Sequence, residues 1–168
     1  LLFSIIFFNS LFANNSKEVL LIHSYHKGYI WTDDISKTIE KNFQDHKEIE
    51  LTTLYMDAKR VDDSVYLSNL AKLYKQQFEN RKFDLVIVSD NNAFDFIIQY
   101  HEYLFKDLPI LFCGINNFNK SLLNKNNIKE FMTGVAEEVD LEKNFELISK
   151  LHPNLKNLLI INDTSSTG

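Results

Sequence analysis

Glycine is scarce: the 168 residues contain four, at positions 28, 114, 134 and 168. That leaves no glycine-rich loop of the kind that cradles phosphate in dinucleotide and P-loop sites, so the usual nucleotide-binding hardware is excluded. A single cysteine, Cys113, rules out an internal disulfide, and no Cys/His grouping has zinc-ligand spacing. Neither a metal staple nor a redox pair is encoded, and no cofactor is expected. Cys113 ends the apolar run Pro109-Ile110-Leu111-Phe112-Cys113, which predicts a buried core thiol and not a nucleophile. Basic residues are outnumbered, 18 against 23, for a net charge of −5. Such a surface carries no electrostatic footprint for nucleic acid or anionic membrane. A hydrolase elbow of the Gly-x-Ser-x-Gly type is also missing.

What is present is ordinary globular composition, 45% hydrophobic and 24% charged, enough for one core and against disorder. Residues 1–13 are almost wholly apolar and the chain turns polar at Asn14-Asn15-Ser16. They are shorter than the roughly 20 residues of a membrane span, and Ala13 is a small residue of the type that precedes a cleavage site. The segment reads as the tail of a secretory signal or of an uncleaved anchor, the other reading being a buried first element. Either export reading places the remainder outside the cytoplasm.

Short apolar runs at 19–23, 49–55, 84–88, 110–113 and 132–139 alternate with amphipathic segments, the pattern of repeated βα units around a parallel sheet. The first, third and fourth runs are continuously hydrophobic and belong at the sheet centre, covered on both faces. Ile35, Ile39 and Phe43 recur behind Asp33-Asp34, predicting a helix that starts there. Tyr66, Leu70, Leu73, Tyr74 and Phe78 form a second stripe behind Asp62-Asp63-Ser64. Asn91-Asn92 can cap a third helix with Phe94, Ile97, Ile98 and Leu104 on its buried side. Leu141, Phe145 and Ile148 repeat behind Asp140 until Pro153 forces an end near His152. A last apolar run, 158–161, predicts a sixth strand, and Asn124-Lys125-Asn126-Asn127 a solvated loop.

In an open parallel sheet, ligands sit beyond the carboxyl ends of the strands. After the first strand come Ser24, Tyr25, Tyr29 and Trp31, polar and aromatic groups suited to ligand contact. Trp31 either faces a ligand or, with Ile30, staples the loop to the first helix. After the third and fourth strands come Asp90, Asn91 and Asn92, then Asn116 and Asn117. These can bind polar groups of a small molecule or make caps and turns. Glu137-Glu138, and Asp163-Thr164 after the sixth run, would line the cleft from its far side. A phosphoacceptor receiver would need an acidic pair where His23-Ser24 stand and a lysine ending the fifth strand, and has neither. The single histidines His101 and His152 are not marked as catalytic bases.

The segments His23-Ser24-Tyr25-His26 with Trp31-Thr32, Met56-Asp57-Ala58-Lys59-Arg60, Ser89-Asp90-Asn91-Asn92-Ala93-Phe94, Cys113-Gly114-Ile115-Asn116-Asn117 and Thr133-Gly134-Val135 resemble a known family. It is the substrate-binding-protein-like sensor domain at the extracytoplasmic end of bacterial histidine kinases, akin to the binding proteins of ABC transporters. The similarity spans nearly all of residues 18–168. It implies a type I periplasmic-binding-protein fold, with a first lobe over 18–134 as a three-layer α/β/α doubly wound parallel sheet of order 2-1-3-4-5. Residues 135–168 would then be the crossover and the start of a second lobe. The implied function is ligand recognition without catalysis, as the periplasmic sensor input of a membrane-bound kinase that is generally a homodimer. The other function open is a periplasmic solute-binding protein of an ABC transporter. The implied ligand is a small organic molecule, amino-acid-like or sugar-like, held in part by Ser24, Tyr25, Tyr29, Trp31, Asp90, Asn91, Asn116, Asn117, Glu137 and Asp163.

Overall fold

The computed structural model describes residues 16–138 and 140–161; the expectations for residues 1–13 and for Asp163-Thr164 lie outside them. Five strands, β1 (Lys17–His23), β2 (Ile49–Tyr55), β3 (Leu85–Ser89), β4 (Ile110–Asn116) and β5 (Met132–Glu137), form one sheet of order β2-β1-β3-β4-β5. Every neighbouring pair is parallel. The connections are α1 (Ile30–Phe43), α2 (Ser64–Phe78), α3 (Asp90–Leu104) and α4 (Lys120–Lys125), and α5 (Leu141–Leu151) follows β5. The chain therefore forms the expected three-layer doubly wound sheet.

The continuous apolar runs explain the centre. Leu20, Leu21 and Ile22 of β1 are fully buried, because a parallel strand between two helical layers has no solvent face. On one face Leu20, Ile22, Val86, Val88, Ile110 and Phe112 pack against Tyr74 of α2, Phe94 and Ile97 of α3 and Leu123 of α4. On the other, Val19, Leu21 and Ile87 lie under Ile39 and Phe43 of α1. This second cover stops short of the β4–β5 side. Leu111 is 38% and Val135 71% exposed there.

Several boundaries differ from the sequence reading. α1 starts at Ile30, ahead of Asp33-Asp34, and Asp33 instead accepts the Gly28 N–H at 2.9 Å; the aromatic loop thus becomes a first helical turn. Its buried face is Thr32 and Ser36 before the apolar stripe begins, so polarity hid it. Asp63 caps α2 as expected, accepting from Val65 and Tyr66, but Leu73 is exposed and Ala71 takes its place in the core. The loop expected around Asn124 is partly the six-residue α4, capped by Asn119, too short for a periodic signal. Residues 158–161 form no strand and stay exposed. A strand exists only through its ladder, and no described strand pairs with them.

Gly134 faces Phe112 across the β4–β5 pair. A Cβ there would meet the Phe112 carbonyl oxygen and lie 2.6 and 2.7 Å from two carbons of its ring. Gly134→Ala is expected to lower stability by about 1–3 kcal/mol, seen as a lower urea midpoint at unchanged slope. A midpoint equal to the parent's would mean that β5 shifts without cost.

Candidate functional site

Ser89 ends β3 and Asp90 already begins α3, so the chain reverses within one residue. Asp90 makes that turn with φ +67°, in the left-handed region that Asp and Asn tolerate better than other side chains. Its side chain is 5% exposed. The Trp31 indole lies beside the carboxylate and favours its charged form, and Oδ2 has no hydrogen-bond partner. Burial raises the carboxyl to about 7, an effect that Trp31 and Lys59 oppose and nearby Glu137 reinforces. A buried carboxylate at a strained position with half its acceptors unmet is a stability penalty without a structural return.

Trp31 lies in the first turn of α1, 42% exposed. Its ring is 3.5 Å from where a Cβ on Gly114 would stand. Gly114 has φ +69°, and the β4–β5 register shifts between Cys113 and Ile115, a bulge that re-aims the strand end beside the site. Ile30 is 78% exposed, so it is not a staple. Cys113 is half-buried at this edge, its thiol directed at the Val88 carbonyl at 3.8 Å. Burial, then Asp90 and Glu137, push it up to about 11, an unreactive thiol as expected but not a fully buried one.

The other predicted residues divide into framework and surface. Ser24 is fully buried; its Oγ donates to the Ser89 carbonyl and accepts the Ala93 N–H, both at 2.7 Å. It therefore ties β1 to β3 and satisfies an amide of the first turn of α3, the task assigned in sequence to Asn91-Asn92. The Asn91 side chain clasps Asn116, donating to its carbonyl at 3.1 Å and accepting its N–H at 3.0 Å. Tyr25 is 3% exposed, edge-on to Tyr29 with centroids 5.2 Å apart, and Lys59 Nζ lies 4.9 Å over its ring. Tyr29 is half-exposed. Asn117 is exposed with φ +55°. It borders a cavity of about 330 Å³ with Phe118, Ala136, Glu137, Glu138 and Asp140.

Sequence reasoning passed over Lys59, which the Met56-Asp57-Ala58-Lys59-Arg60 loop carries toward Asp90. That loop is fixed by Met56 N–H to the His23 carbonyl and Ala58 N–H to the Ser24 carbonyl, and by Arg60 on the Asp57 carboxylate at 3.1 Å. Its place among the quoted motifs was the available signal. His23 ends β1. It is fully buried, with Ser89 Oγ 2.7 Å from Nδ1 and Ser36 Oγ 2.7 Å from Nε2, stacked on Tyr55, and so joins β1, β3 and α1. Burial lowers it to about 4 against a smaller opposing pull from Asp33.

Because the folded pKa lies below the unfolded value, His23 supports the fold fully above pH 6.5. That support is lost as pH falls toward 4. The His23 ring-proton resonance is expected to titrate near pH 4; a midpoint above 6 would contradict the buried neutral bridge.

Among the described residues no His/Cys/Asp/Glu group could hold a metal ion, and no helix is long and apolar enough to cross a membrane. No protein-family model matches the sequence, and no curated protein matches it. Among solved structures, the lysine decarboxylase LdcF of Francisella novicida aligns at TM-score 0.44 and 19% identity, over 83% of this chain and 17% of the decarboxylase. That is a remote likeness of α/β architecture, over a small part of the decarboxylase chain.

Proposed function

We propose that this chain is the first lobe, with the start of a second, of an extracytoplasmic small-molecule-binding domain that serves as the input of a membrane-bound sensor kinase. The observation that carries it is Asp90: a buried, strained, half-satisfied carboxylate at the carboxyl edge of a parallel sheet, beside a half-exposed tryptophan. Groups whose burial opposes folding concentrate where ligands supply the missing partner. The quoted motifs support the same reading, since their residues converge on that edge: Ser24 and Tyr25 after β1, Lys59 after β2, Asp90 after β3 and Asn116 at the end of β4, with Glu137 at the end of β5 beside them. The uncovered side of the sheet, at Leu111 and Val135, and the apolar face of α5, where Leu141 is 61% and Phe145 40% exposed, fit a lobe that is finished by packing from elsewhere. In a two-lobed clamp the ligand drives closure only through its preference for the closed state. One lobe on its own therefore binds weakly.

Trp31 is the one tryptophan, so intrinsic emission reports on this edge alone. A panel of amino acids, amines and sugars, screened by thermal shift, is expected to contain a compound that both stabilises the protein and changes Trp31 emission. Trp31→Ala should weaken that compound at least tenfold with an unchanged far-UV circular dichroism spectrum. An unfolded Trp31→Ala protein would show that the ring serves packing, and a panel without any such compound would count against ligand binding.

A further inference from the structure

We propose that the ligand of this cleft presents a cationic nitrogen, an ammonium group, received by Asp90 and Glu137 with the Trp31 ring as its wall; this rests on the ligand-binding reading above. The groups facing Asp90 are the Trp31 indole on α1, Lys59 from the β2–α2 loop, the Cys113 thiol on β4 and Glu137 on β5. Next to Glu137 the 330 Å³ cavity adds Glu138 and Asp140, and among the described residues no cationic one lines it. Lys143 neutralises Asp140 at 2.7 Å, so Asp90, Glu137 and Glu138 stand against Lys59, a net negative field that repels anions and concentrates cations.

Two features that would suit other ligand chemistries are already engaged. The Ala93 N–H, which could greet a carboxylate at the start of α3, is taken by Ser24. The Asn91 amide and the Asn116 backbone, which could serve sugar hydroxyls, are closed on each other. Among the buried atoms without a hydrogen-bond partner at this edge, which include the Thr32 hydroxyl, Asp90 Oδ2 is the charged acceptor. An ammonium supplies N–H donors and positive charge together, and an indole face attracts it further. Trp31 lies against Asp90 and is half-exposed, so its ring forms the solvent-facing wall of the site.

The geometry sets a proton linkage. Unliganded Asp90, raised to about 7 by burial, holds a proton part of the time near neutrality, and an ammonium requires it ionised. Binding therefore releases a proton, and affinity rises with pH through that range.

The test uses the full chain and three probes of one shape: benzylamine, protonated throughout pH 6–8, neutral benzyl alcohol and anionic benzoate. Benzylamine is expected to shift both Trp31 emission and the Asp90 carboxyl carbon resonance. Its affinity should rise about tenfold from pH 6 to pH 8, while the other two bind at least tenfold more weakly. Glu137→Gln should weaken benzylamine, and Asp90→Asn should weaken it and abolish the pH dependence. Benzyl alcohol or benzoate binding as well as benzylamine, without pH dependence, would overturn the cationic class and leave the ligand site standing. Three probes that all leave both signals unmoved, while sugars but no amine or amino acid of the broader panel shift Trp31 emission, would likewise overturn only the cationic class. If nothing in that panel does so, the ligand-binding reading falls with it.

Discussion

Asparagine in place of Asp90 is expected to stabilise the protein at pH 8 and to leave its stability nearly unchanged at pH 4. Moving the carboxyl from 3.8 to about 7 corresponds to about 4 kcal/mol against the ionised form. A raised folded pKa means that Asp90 weighs nothing below pH 4 and that its penalty grows as pH rises to 7. Asn has the same shape and tolerates φ +67° as well as Asp does. A rise in Tm of roughly 8–16 °C at pH 8 follows, shrinking to near zero by pH 4. A destabilised or pH-independent variant would show that the carboxylate is satisfied in solution and would remove the main argument for a functional site. Below pH 6.5 the same variant also exposes the opposite contribution of His23, since Asp90 no longer masks it.

Ser24→Ala is the second large effect, in the other direction. The hydroxyl is buried between the Ser89 carbonyl and the Ala93 N–H. Its loss strands a buried donor and weakens the seam between β1 and β3, although Ser24 N–H still reaches the Ser89 carbonyl at 3.2 Å. Each buried group left unsatisfied costs about 1–3 kcal/mol, so a loss of roughly 2–4 kcal/mol is expected by urea unfolding. A change within about 0.5 kcal/mol, with ligand binding lost, would return Ser24 to the ligand and take it out of the framework.

These two residues show where the sequence was informative. Both were placed at strand ends from pattern alone, because continuous runs such as Val19-Leu20-Leu21-Ile22 mark buried parallel strands and the loops after them are thereby identified. Pattern cannot say which polar side chain in such a loop turns inward. Ser24, His23 and Asn91 spend their hydrogen-bonding groups on partners 13 to 69 residues away, and no local spacing encodes that. Asp90 was legible as a position but not as a strained, buried acid, since its conformation follows from β3 running into α3 without a connecting residue. The start of α1 was missed for a related reason: Thr32 and Ser36 face the sheet as buried polar groups where a hydrophobic stripe is expected. Residues 158–161 show the limit of apolar pattern, which gives a strand's propensity but not its neighbour.

The most direct measurement is an amide chemical-shift map of the labelled protein with the compound that most raises its Tm. The account predicts perturbations confined to the carboxyl edge of the sheet, at residues 24–31, 57–60, 89–92, 114–117 and 136–138, with the Trp31 indole N–H among the largest. The sheet's opposite end offers a competing place, a cavity of about 620 Å³ among Lys75, Arg81, Lys82 and Lys106 over Phe78 and Phe83. Perturbations gathered there, with the Trp31 and Asp90 signals unmoved, would contradict the account.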